Sequence, residues 1–317
     1  MGYYIAVSLL LIAFEFAYIR VAKIARIVDR PHHQSSHRGI VVRGGGVIFY
    51  VAFVFWSITH GLQWGGGLLG LTIIAGVSFI DDVHSISPKI RLICQFLAIL
   101  VMFDHSGLLR HPVHVIIILA IVCAGAMNIY NFMDGINGMT GGYSLVVSLA
   151  LLYVDTYMVR FAPQSLILFV IISIFVFNFF NFRKRARCFA GDVGSLSIGF
   201  IIVYFVLIMA LRGHSMSWIA MLSVYLVDGG MTMLHRVLLR ENLMKPHKKH
   251  AYQIMANELG IPHLVVSGIY MGLQAVCCVV YIIWPGYPSF FAIFGVLALM
   301  YLAFMKKYYH LHVKRKQ

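Results

Sequence analysis

The sequence predicts an all-α, polytopic membrane protein of about 10–11 transmembrane helices that forms a single integral-membrane domain over residues 1–317. Hydrophobic residues make up 61% of the chain and charged residues only 11%, against about 25% charged residues in a soluble domain. Apolar runs long enough to cross a bilayer recur from end to end. These runs are continuous rather than alternating, which favours helices over a β-barrel.

The apolar runs alternate with short connections on one side and longer polar loops on the other. With the N-terminus outside, the inward segments carry 22 of the 25 Lys and Arg residues. The positive-inside rule therefore places the long loops in the cytoplasm, as expected for a multi-pass membrane protein. The candidate spans cover about residues 3–20, 44–62, 66–80, 90–103, 113–128, 141–159, 164–180, 194–211, 216–234, 263–284 and 288–305.

The net charge of +14 needs no nucleic acid to explain it. Basic residues concentrated on one side of a membrane protein set its topology and attract anionic membrane lipid. This distribution argues against a nucleic-acid partner. The five cysteines lie in or beside apolar spans without metal-ligand spacing, so we expect small buried side chains and no disulfide framework.

The carboxylates with the strongest claim to chemistry lie where apolar spans end on the inner side. Asp81 and Asp82 close the third span, Asp134 follows the fifth, and Asp192 precedes the eighth. Carboxylates are costly near hydrocarbon and are rarely placed there without a role. Their convergence on one face would suit a divalent metal and a phosphate-bearing substrate at the membrane surface.

The Asp81-Asp82 pair has neighbours that suit phosphate chemistry. Adjacent carboxylates point to different faces, so one can ligate a metal while the other accepts a proton. Lys89, just after Pro88 at the next helix start, can neutralise a phosphate. A plain Asp-Asp helix terminus is the alternative, but it would oppose the helix dipole.

A polar stripe formed by Asn128, Asn131 and Asp134 runs along the end of the fifth span. Residues at i, i+3 and i+6 share a helix face, and amides beside a carboxylate suit sugar hydroxyls, an acetamido group or the water shell of a metal. Such a stripe can also hold helices together. Asp192, set between Gly191 and Gly194, is our first choice as a direct Mg²⁺ ligand, because Mg²⁺ takes few protein carboxylates.

Two basic loops complete the set of candidate residues. The first loop contains His37 and Arg43, followed by three glycines whose amides can approach an anion, although glycine triplets are also common helix starts. The last loop carries His247 and His250, for which phosphate contact is favoured over zinc because three lysines would repel a cation. For Asp228, late in the ninth span, an ion pair with Arg236 about two helical turns on is one interpretation, although that distance is slightly long for direct contact.

Taken in order, these segments resemble the polyprenyl-phosphate N-acetylhexosamine-1-phosphate transferases, the bacterial membrane enzymes that initiate envelope polysaccharides. The resemblance covers nearly the whole chain and rests on Asp81-Asp82, Asn131-x-x-Asp134-Gly and Gly191-Asp192-x-Gly-Ser, with the histidine loop after them. It implies a UDP-N-acetylhexosamine donor, undecaprenyl phosphate as acceptor, UMP as product, and Mg²⁺ or Mn²⁺ as cofactor. A homodimer is left open.

The resemblance also implies roles for individual residues. Asp192 would ligate the metal, and Asp81, with Asp82 beside it, would deprotonate or orient the lipid phosphate. The remaining assignments are Lys89 to phosphate, Asn131 and Asp134 to the nucleotide side, and His247 and His250 to the diphosphate and sugar.

Two departures from the family pattern carry information. The asparagine that usually lies ten residues before the Gly-Asp aspartate is replaced by Phe182, with Asn181 one residue earlier, which leaves the role of Asn181 open. The histidine motif lacks three consecutive histidines, which argues against a muramoyl-pentapeptide donor. It favours an O-antigen or surface-polysaccharide initiator using UDP-GlcNAc or a deoxy relative such as UDP-FucNAc or UDP-QuiNAc.

Other classes are less compatible with the sequence. A transporter of an anionic solute would need polar residues near mid-membrane and repeat symmetry, yet Glu15 is the only mid-span carboxylate. A phosphatidyl-alcohol transferase would need a more compact Asp-rich motif on a single helix. Within the transferase hypothesis, a single in-line step and a covalent aspartyl-phosphate on Asp81 or Asp82 both remain open.

Overall fold

The computed structural model describes residues 2–29, 39–242 and 247–314, with side chains up to residue 310. It is an assembly of helices joined by short turns. The α-helices are α1 Gly2–Ile24, α2 Val47–Thr59, α3 Gly65–Val83, α4 Pro88–Ser106, α5 Val113–Met133, α6 Met139–Tyr157, α7 Gln164–Asn181, α8 Gly191–Arg212, α9 Ser223–Leu238, α10 Ala251–Gln253, α11 His263–Ile283 and α12 Tyr287–Lys314.

These helices confirm the predicted fold class. Nine helical segments in the described part of the chain are long and apolar enough to cross a membrane, one of them formed by the 3₁₀ turn Met216–Leu222 running into α9. The two other predicted spans are also helical, namely the 13-residue α2 and the more polar α4. All eleven segments drawn from the sequence are therefore helices.

Helix α8 is the centre of the bundle. Its apolar stretch is wholly buried, whereas the outer helices α1 and α12 are mostly exposed, as lipid-facing helices are. A helix that is apolar on every side has no polar face to show to water and belongs in a core. Helices α2, α3, α5 and α6 pack around α8, so the first turn of α8 is surrounded by their ends.

Close backbone approach fixes the start of α8 against the start of α2. A Cβ added at Gly194 would lie 2.5 Å from the Cα of Gly46, and a Cβ added at Gly46 would lie 2.3 Å from the Cα of Gly194. Only glycine at both positions permits this spacing, which small residues commonly provide between membrane helices. The glycine run after Arg43 thus serves helix packing.

The β structure within the described residues consists of a small hairpin and one additional bridge. Val28–Asp29 (β1) pairs antiparallel with Val41–Val42 (β2), and Val42 also bridges to Cys188. The amides of Gly45 and Gly46 donate to the carbonyls of Phe189 and Ala190. Because these amides are occupied, the interpretation of Gly45 and Gly46 as anion-binding is wrong. They join the first loop to the loop before α8.

Helix ends lie beyond the boundaries drawn from hydropathy. Asp81 and Asp82 belong to the last turn of α3, Asn131 to the last turn of α5, and Asp192 to the first turn of α8. The helical backbone hydrogen bonds continue beyond the last residue of the apolar pattern. The candidate residues are therefore placed by helices rather than by loose loops.

Candidate active site

Asp82 organises the site from the end of α3. Its two carboxylate oxygens accept the amides of Asp192 and Val193, each at 2.9 Å, and Arg43 Nε lies 2.7 Å from Oδ1. The side chain is fully buried. A carboxylate supplied by another helix thus caps the first turn of α8, where free amides and the helix dipole favour negative charge.

Gly191 makes this cap possible. Its φ is +72°, and an added Cβ would lie 2.5 Å from Asp82 Oδ2. Left-handed backbone and close approach both require glycine. The Gly-Asp motif is thereby explained in part by packing, because glycine allows the acid of α3 to reach the amide of Asp192.

Asp81 points to a different set of partners from Asp82, as the sequence analysis expected for adjacent side chains. Its Oδ1 accepts the Ile86 amide at 2.6 Å, and its Oδ2 lies 2.8 Å from Arg91 Nη1. The same Arg91 nitrogen is 3.4 Å from Asp192 Oδ2. Arg91 therefore bridges the carboxylates of α3 and α8.

Arg91 was missed as a site residue by sequence reasoning, which chose Lys89. In the structure Lys89 is exposed at the start of α4. The available indication was that Arg91 also lies in the first turn of the helix that follows the Asp pair. Its guanidinium can contact two carboxylates at once because it carries several donors in a fixed plane.

Asp192 lies at the centre of the cluster and is partly accessible, with 19% of its side chain exposed. Asn131 Nδ2 donates to its Oδ1 at 3.1 Å, and Arg43 Nη2 is 3.9 Å away. Its carboxylate and the Asp81 carboxylate both contact Arg91 Nη1, at 3.4 and 2.8 Å. The Arg91 guanidinium lowers the repulsion between the two carboxylates, and a further cation would lower it more.

The Asp81–Asp192 pair therefore fits a divalent cation. Among the side chains the structure describes, no group of three or more His, Cys, Asp and Glu is arranged as a metal site. Mg²⁺ is commonly held by only one or two carboxylates together with water and substrate phosphate. The Asp81 and Asp192 carboxylates fit this mode of Mg²⁺ coordination. They do not fit zinc, which takes three or four protein ligands.

Asp134 is half-buried directly after α5. The pKa of Asp134 is raised to about 7, mainly by burial and also by the charges of Asp192 and Asp82, while a hydrogen bond with Thr140 and the charge of Arg43 oppose the shift. The three aspartates therefore belong to one electrostatic unit at one end of the bundle. A carboxyl group that titrates near neutrality can carry or accept a proton during a reaction.

The other predicted amide residues have structural contacts. Asn128 forms a reciprocal amide pair with Gln95 and donates to the Ala124 carbonyl. These bonds use both of its donor hydrogens, so Asn128 joins α4 to α5. Asn181 is buried, accepts the Gly138 amide and donates to the Cys188 carbonyl, which ties the loop after α5 to the loop before α8.

The histidine loop lies against the end of α5. His247 and His250 have ring centroids 4.9 Å apart and flank Phe132, at 6.0 and 6.3 Å. Tyr252 donates its hydroxyl to the Phe132 carbonyl at 2.8 Å. Phe132 is two residues before Asp134, so the loop borders the acidic cluster. His37, the other predicted histidine, lies outside the described residues.

Burial lowers the pKa of His247 to about 3, with the neighbouring His250 adding to the effect. The His247 ring is therefore neutral near pH 7.

The expected Asp228–Arg236 ion pair is wrong. The turn after α9 brings Glu241 and Asn242 close to Arg236, which pairs with Glu241 and donates to the Asn242 carbonyl. Asp228 faces the histidine loop instead.

The fold and the cluster together define a polytopic membrane protein with a polar, phosphate-compatible site at one end of its helices. Comparison with known sequences agrees with this class. A family model described as glycosyl transferase family 4 matches residues 64–210, which include the Asp81-Asp82 and Asp192 motifs.

Three relatives extend the similarity over most of the chain. The probable undecaprenyl-phosphate N-acetylglucosaminyl 1-phosphate transferase of Bacillus subtilis (strain 168) is 24% identical over 314 residues, covering 89% of this chain and 84% of the relative. The undecaprenyl-phosphate alpha-N-acetylglucosaminyl 1-phosphate transferase of Yersinia pestis is 27% identical, covering 79% and 75%. Its Escherichia coli (strain K12) namesake is 25% identical, with the same coverage. Over most of its length the chain is therefore similar to undecaprenyl-phosphate N-acetylglucosaminyl 1-phosphate transferases.

Proposed function

We propose that the protein transfers an N-acetylhexosamine 1-phosphate from a UDP-N-acetylhexosamine to undecaprenyl phosphate, releasing UMP. The relatives named above carry this acceptor and N-acetylglucosaminyl 1-phosphate in their names. The observation that carries the proposal is the meeting of Asp81, Asp192 and Asn131 with Arg43 and Arg91 at one end of the bundle. This arrangement suits two phosphate groups that must be brought together.

The location of the cluster supports an enzyme acting on a membrane lipid. The cluster lies where α3, α5 and α8 reach one face, which the basic loops would place in the cytoplasm of a bacterial inner membrane. A lipid phosphate lies at that depth, and a nucleotide arrives from the water beside it. A transporter would require its polar site near mid-membrane, which is not where this cluster lies.

The donor is proposed to be UDP-GlcNAc or a deoxy relative such as UDP-FucNAc or UDP-QuiNAc. The histidine loop differs from the three-histidine motif of enzymes that use a muramoyl-pentapeptide donor. The lipid-linked product would then enter an O-antigen or surface-polysaccharide pathway.

Asp192, with Asp81 beside it, would hold Mg²⁺ or Mn²⁺. When bound there, the cation supplies positive charge against the diphosphate of the donor. Arg43 and Arg91 both contact the Asp192 carboxylate and can turn to phosphate oxygens as substrates enter. Each guanidinium offers several donors in a plane that matches phosphate.

In the proposed reaction a phosphate oxygen of the acceptor attacks the β-phosphorus of the donor in line with the leaving oxygen. A new P–O bond joins the two phosphates, and the P–O bond to the α-phosphate breaks, so that UMP leaves with the bonding electrons. Asp81 orients the acceptor phosphate and takes its proton where one is present. The chain contributes mainly by positioning.

The contacts of Asp82 disfavour it as a covalent nucleophile. Both of its oxygens already accept α8 amides, and one also contacts Arg43. Attack by Asp82 would strip the first turn of α8 of its cap. A covalent intermediate on Asp82 is therefore disfavoured, and failure to trap a phosphorylated chain with donor alone is the result expected of a single displacement.

The direct test uses purified protein, undecaprenyl phosphate, Mg²⁺ and a panel of UDP-sugars. We expect UMP release with a UDP-N-acetylhexosamine and none with UDP-glucose or UDP-muramoyl-pentapeptide. Release of UMP that does not depend on the lipid would indicate hydrolysis, and no release with any donor would refute the proposal.

A further inference from the structure

Asp228 gathers four donors from three segments in the interior of the bundle. Its Oδ1 accepts the Ala251 amide at 3.1 Å and the Thr232 hydroxyl at 3.2 Å, and lies 3.4 Å from His250 Nδ1. Its Oδ2 accepts the Tyr270 hydroxyl. Asp228 is only 4% exposed. A carboxylate this buried is kept only where many donors surround it, and one of these donors is a histidine of the loop.

His250 has one satisfied ring nitrogen and one free one. Nδ1 faces Asp228, whereas Nε2 is buried and has no hydrogen-bond partner among the residues that the structure describes. The residue is 1% exposed and lies between the rings of Phe132 and Tyr252. An unpaired buried polar atom costs about 1–3 kcal/mol, so a site that keeps one is prepared for a ligand.

The neighbouring His247 also has a buried ring nitrogen without a partner among the described residues, Nδ1, but it lacks the contact with a carboxylate. His247 is neutral near pH 7 because burial lowers its pKa to about 3. His250 alone of the two contacts a carboxylate in the described residues. The two histidines of the loop therefore differ chemically, and His250 is the one whose ring is held by a carboxylate.

We propose that Asp228 is a positioning residue that fixes His250 with its proton on Nδ1 and presents Nε2 to a phosphoryl oxygen of the substrates. This inference rests on the proposed function. A carboxylate on one imidazole nitrogen selects the tautomer and orients the ring. When Nε2 takes the proton of a phosphate P–OH, the ring becomes an imidazolium that donates Nε2–H to that phosphoryl oxygen, and Asp228 balances its charge.

The phosphoryl oxygen belongs either to the nucleotide diphosphate or to the lipid phosphate. The two sources share their chemistry and are separated by kinetics. If His250 contacts the donor diphosphate, its loss raises KM for the UDP-sugar. If it contacts the lipid phosphate, KM for the lipid rises instead.

The test combines kinetics with a double-mutant cycle on Asp228 and His250. Asp228→Ala should lower kcat about tenfold to a hundredfold, the range seen when an outer partner of a functional histidine is removed. Asp228→Asn keeps an acceptor oxygen but no charge, so its loss should be smaller and its pH profile shifted. In a His250→Ala background, Asp228→Ala should change kcat by no more than about twofold.

A purely structural role would give a different result. In that case the losses from Asp228→Ala and His250→Ala would multiply, which would overturn the proposal. Asp155→Ala is the matched control, because Asp155 is another buried aspartate that accepts two amides, those of Phe161 and Ala162. It lies at the opposite end of α6 from the cluster, and kcat should stay within about twofold of the parent.

A spectroscopic arm separates this inference from the proposed function. Imidazole ¹⁵N spectra of the histidine-labelled protein in nanodiscs, assigned by the His250→Ala spectrum, report which nitrogen carries the proton. We expect Nδ1–H in the parent and in Thr232→Val, which removes another donor to the same carboxylate, and a mixture in Asp228→Ala. A bare Nδ1 in the parent would overturn the inference. If no UDP-sugar supports UMP release, the proposed function fails, and these spectra alone decide the role of Asp228.

Discussion

Replacing Asp82 with asparagine tests whether this acid caps α8 and thereby positions Asp192. Asparagine has one carbonyl oxygen, so only one of the amides of Asp192 and Val193 can keep its acceptor. The other amide would face an NH₂ group in a buried place. The charge opposite Arg43 would also be lost.

The expected destabilisation follows from these contacts. A buried amide without a partner costs about 1–3 kcal/mol. The Arg43 side chain is 38% exposed, so screening limits the lost ion pair to about 1 kcal/mol. Local opening of the loop before α8 should therefore become easier by about 2–4 kcal/mol, which corresponds to about 30-fold to 1000-fold in the population of the open form.

Cys188 reports this opening. Its thiol is fully buried four residues before Asp192 and contacts Glu15, and burial raises the pKa of Cys188 well above its ordinary value. Labelling by a maleimide therefore requires the loop to open. The rate is measured in a chain that keeps Cys188 and replaces the other cysteines with alanine, namely Cys94, Cys123, Cys277 and Cys278.

We expect the labelling rate of Cys188 to rise by the factor given above in Asp82→Asn. Asp155→Asn is the matched control, since Asp155 also accepts two amides but at the other end of α6, and it should leave the rate unchanged. An unchanged rate in Asp82→Asn, or an equal rise in both variants, would refute the capping argument.

Three further predictions concern the cation, the proton and the packing. Asp192→Asn should abolish Mg²⁺-dependent UMP release, and Mn²⁺ titration by electron paramagnetic resonance should show loss of the bound ion in protein that still assembles. Because the pKa of Asp134 is raised to about 7, the ionised form is lost as pH falls through 7. kcat should then drop about tenfold per pH unit below this value, a limb that Asp134→Asn should lack. Gly194→Ala places a methyl 2.5 Å from Gly46 Cα and should greatly lower the yield of folded protein, measured by size-exclusion chromatography, whereas Gly230→Ala, with open space around it, should not.

Each of these predictions has a result that would contradict it. Retained Mn²⁺ binding and activity in Asp192→Asn would remove the cation from this residue. A kcat that rises as pH falls would mean that Asp134 acts in its protonated form. A normal yield of Gly194→Ala would show that α2 and α8 can separate without penalty.

The helical architecture could be predicted because segments in contact with lipid must be apolar, and apolar segments are visible in the sequence. Long apolar runs give the spans, and the distribution of Lys and Arg gives their direction. Convergence of Asp81, Asp134 and Asp192 was also predictable, since alternating helices return to the same face. Their helical placement was less visible, because a helix continues after its apolar pattern has stopped.

The pairwise contacts could not be predicted from the sequence. Arg91 looks like one more inner-side cation until the first turn of α4 places it between two carboxylates. Asn128 and Asn131 lie on one helix face, yet one meets Gln95 and the other Asp192, which depends on the neighbouring helices. Asp228 pairs with a residue 22 positions away rather than with Arg236, because the turn after α9 intervenes.

The most direct measurement follows two labels of one donor, carbon-14 in the sugar and phosphorus-32 in the β-phosphate of UDP-GlcNAc. With purified protein, undecaprenyl phosphate and Mg²⁺, the account predicts that both labels enter the lipid phase in equal amounts and that UMP is the nucleotide product. Transfer of the sugar alone, with UDP released and the phosphorus label left in water, would contradict it.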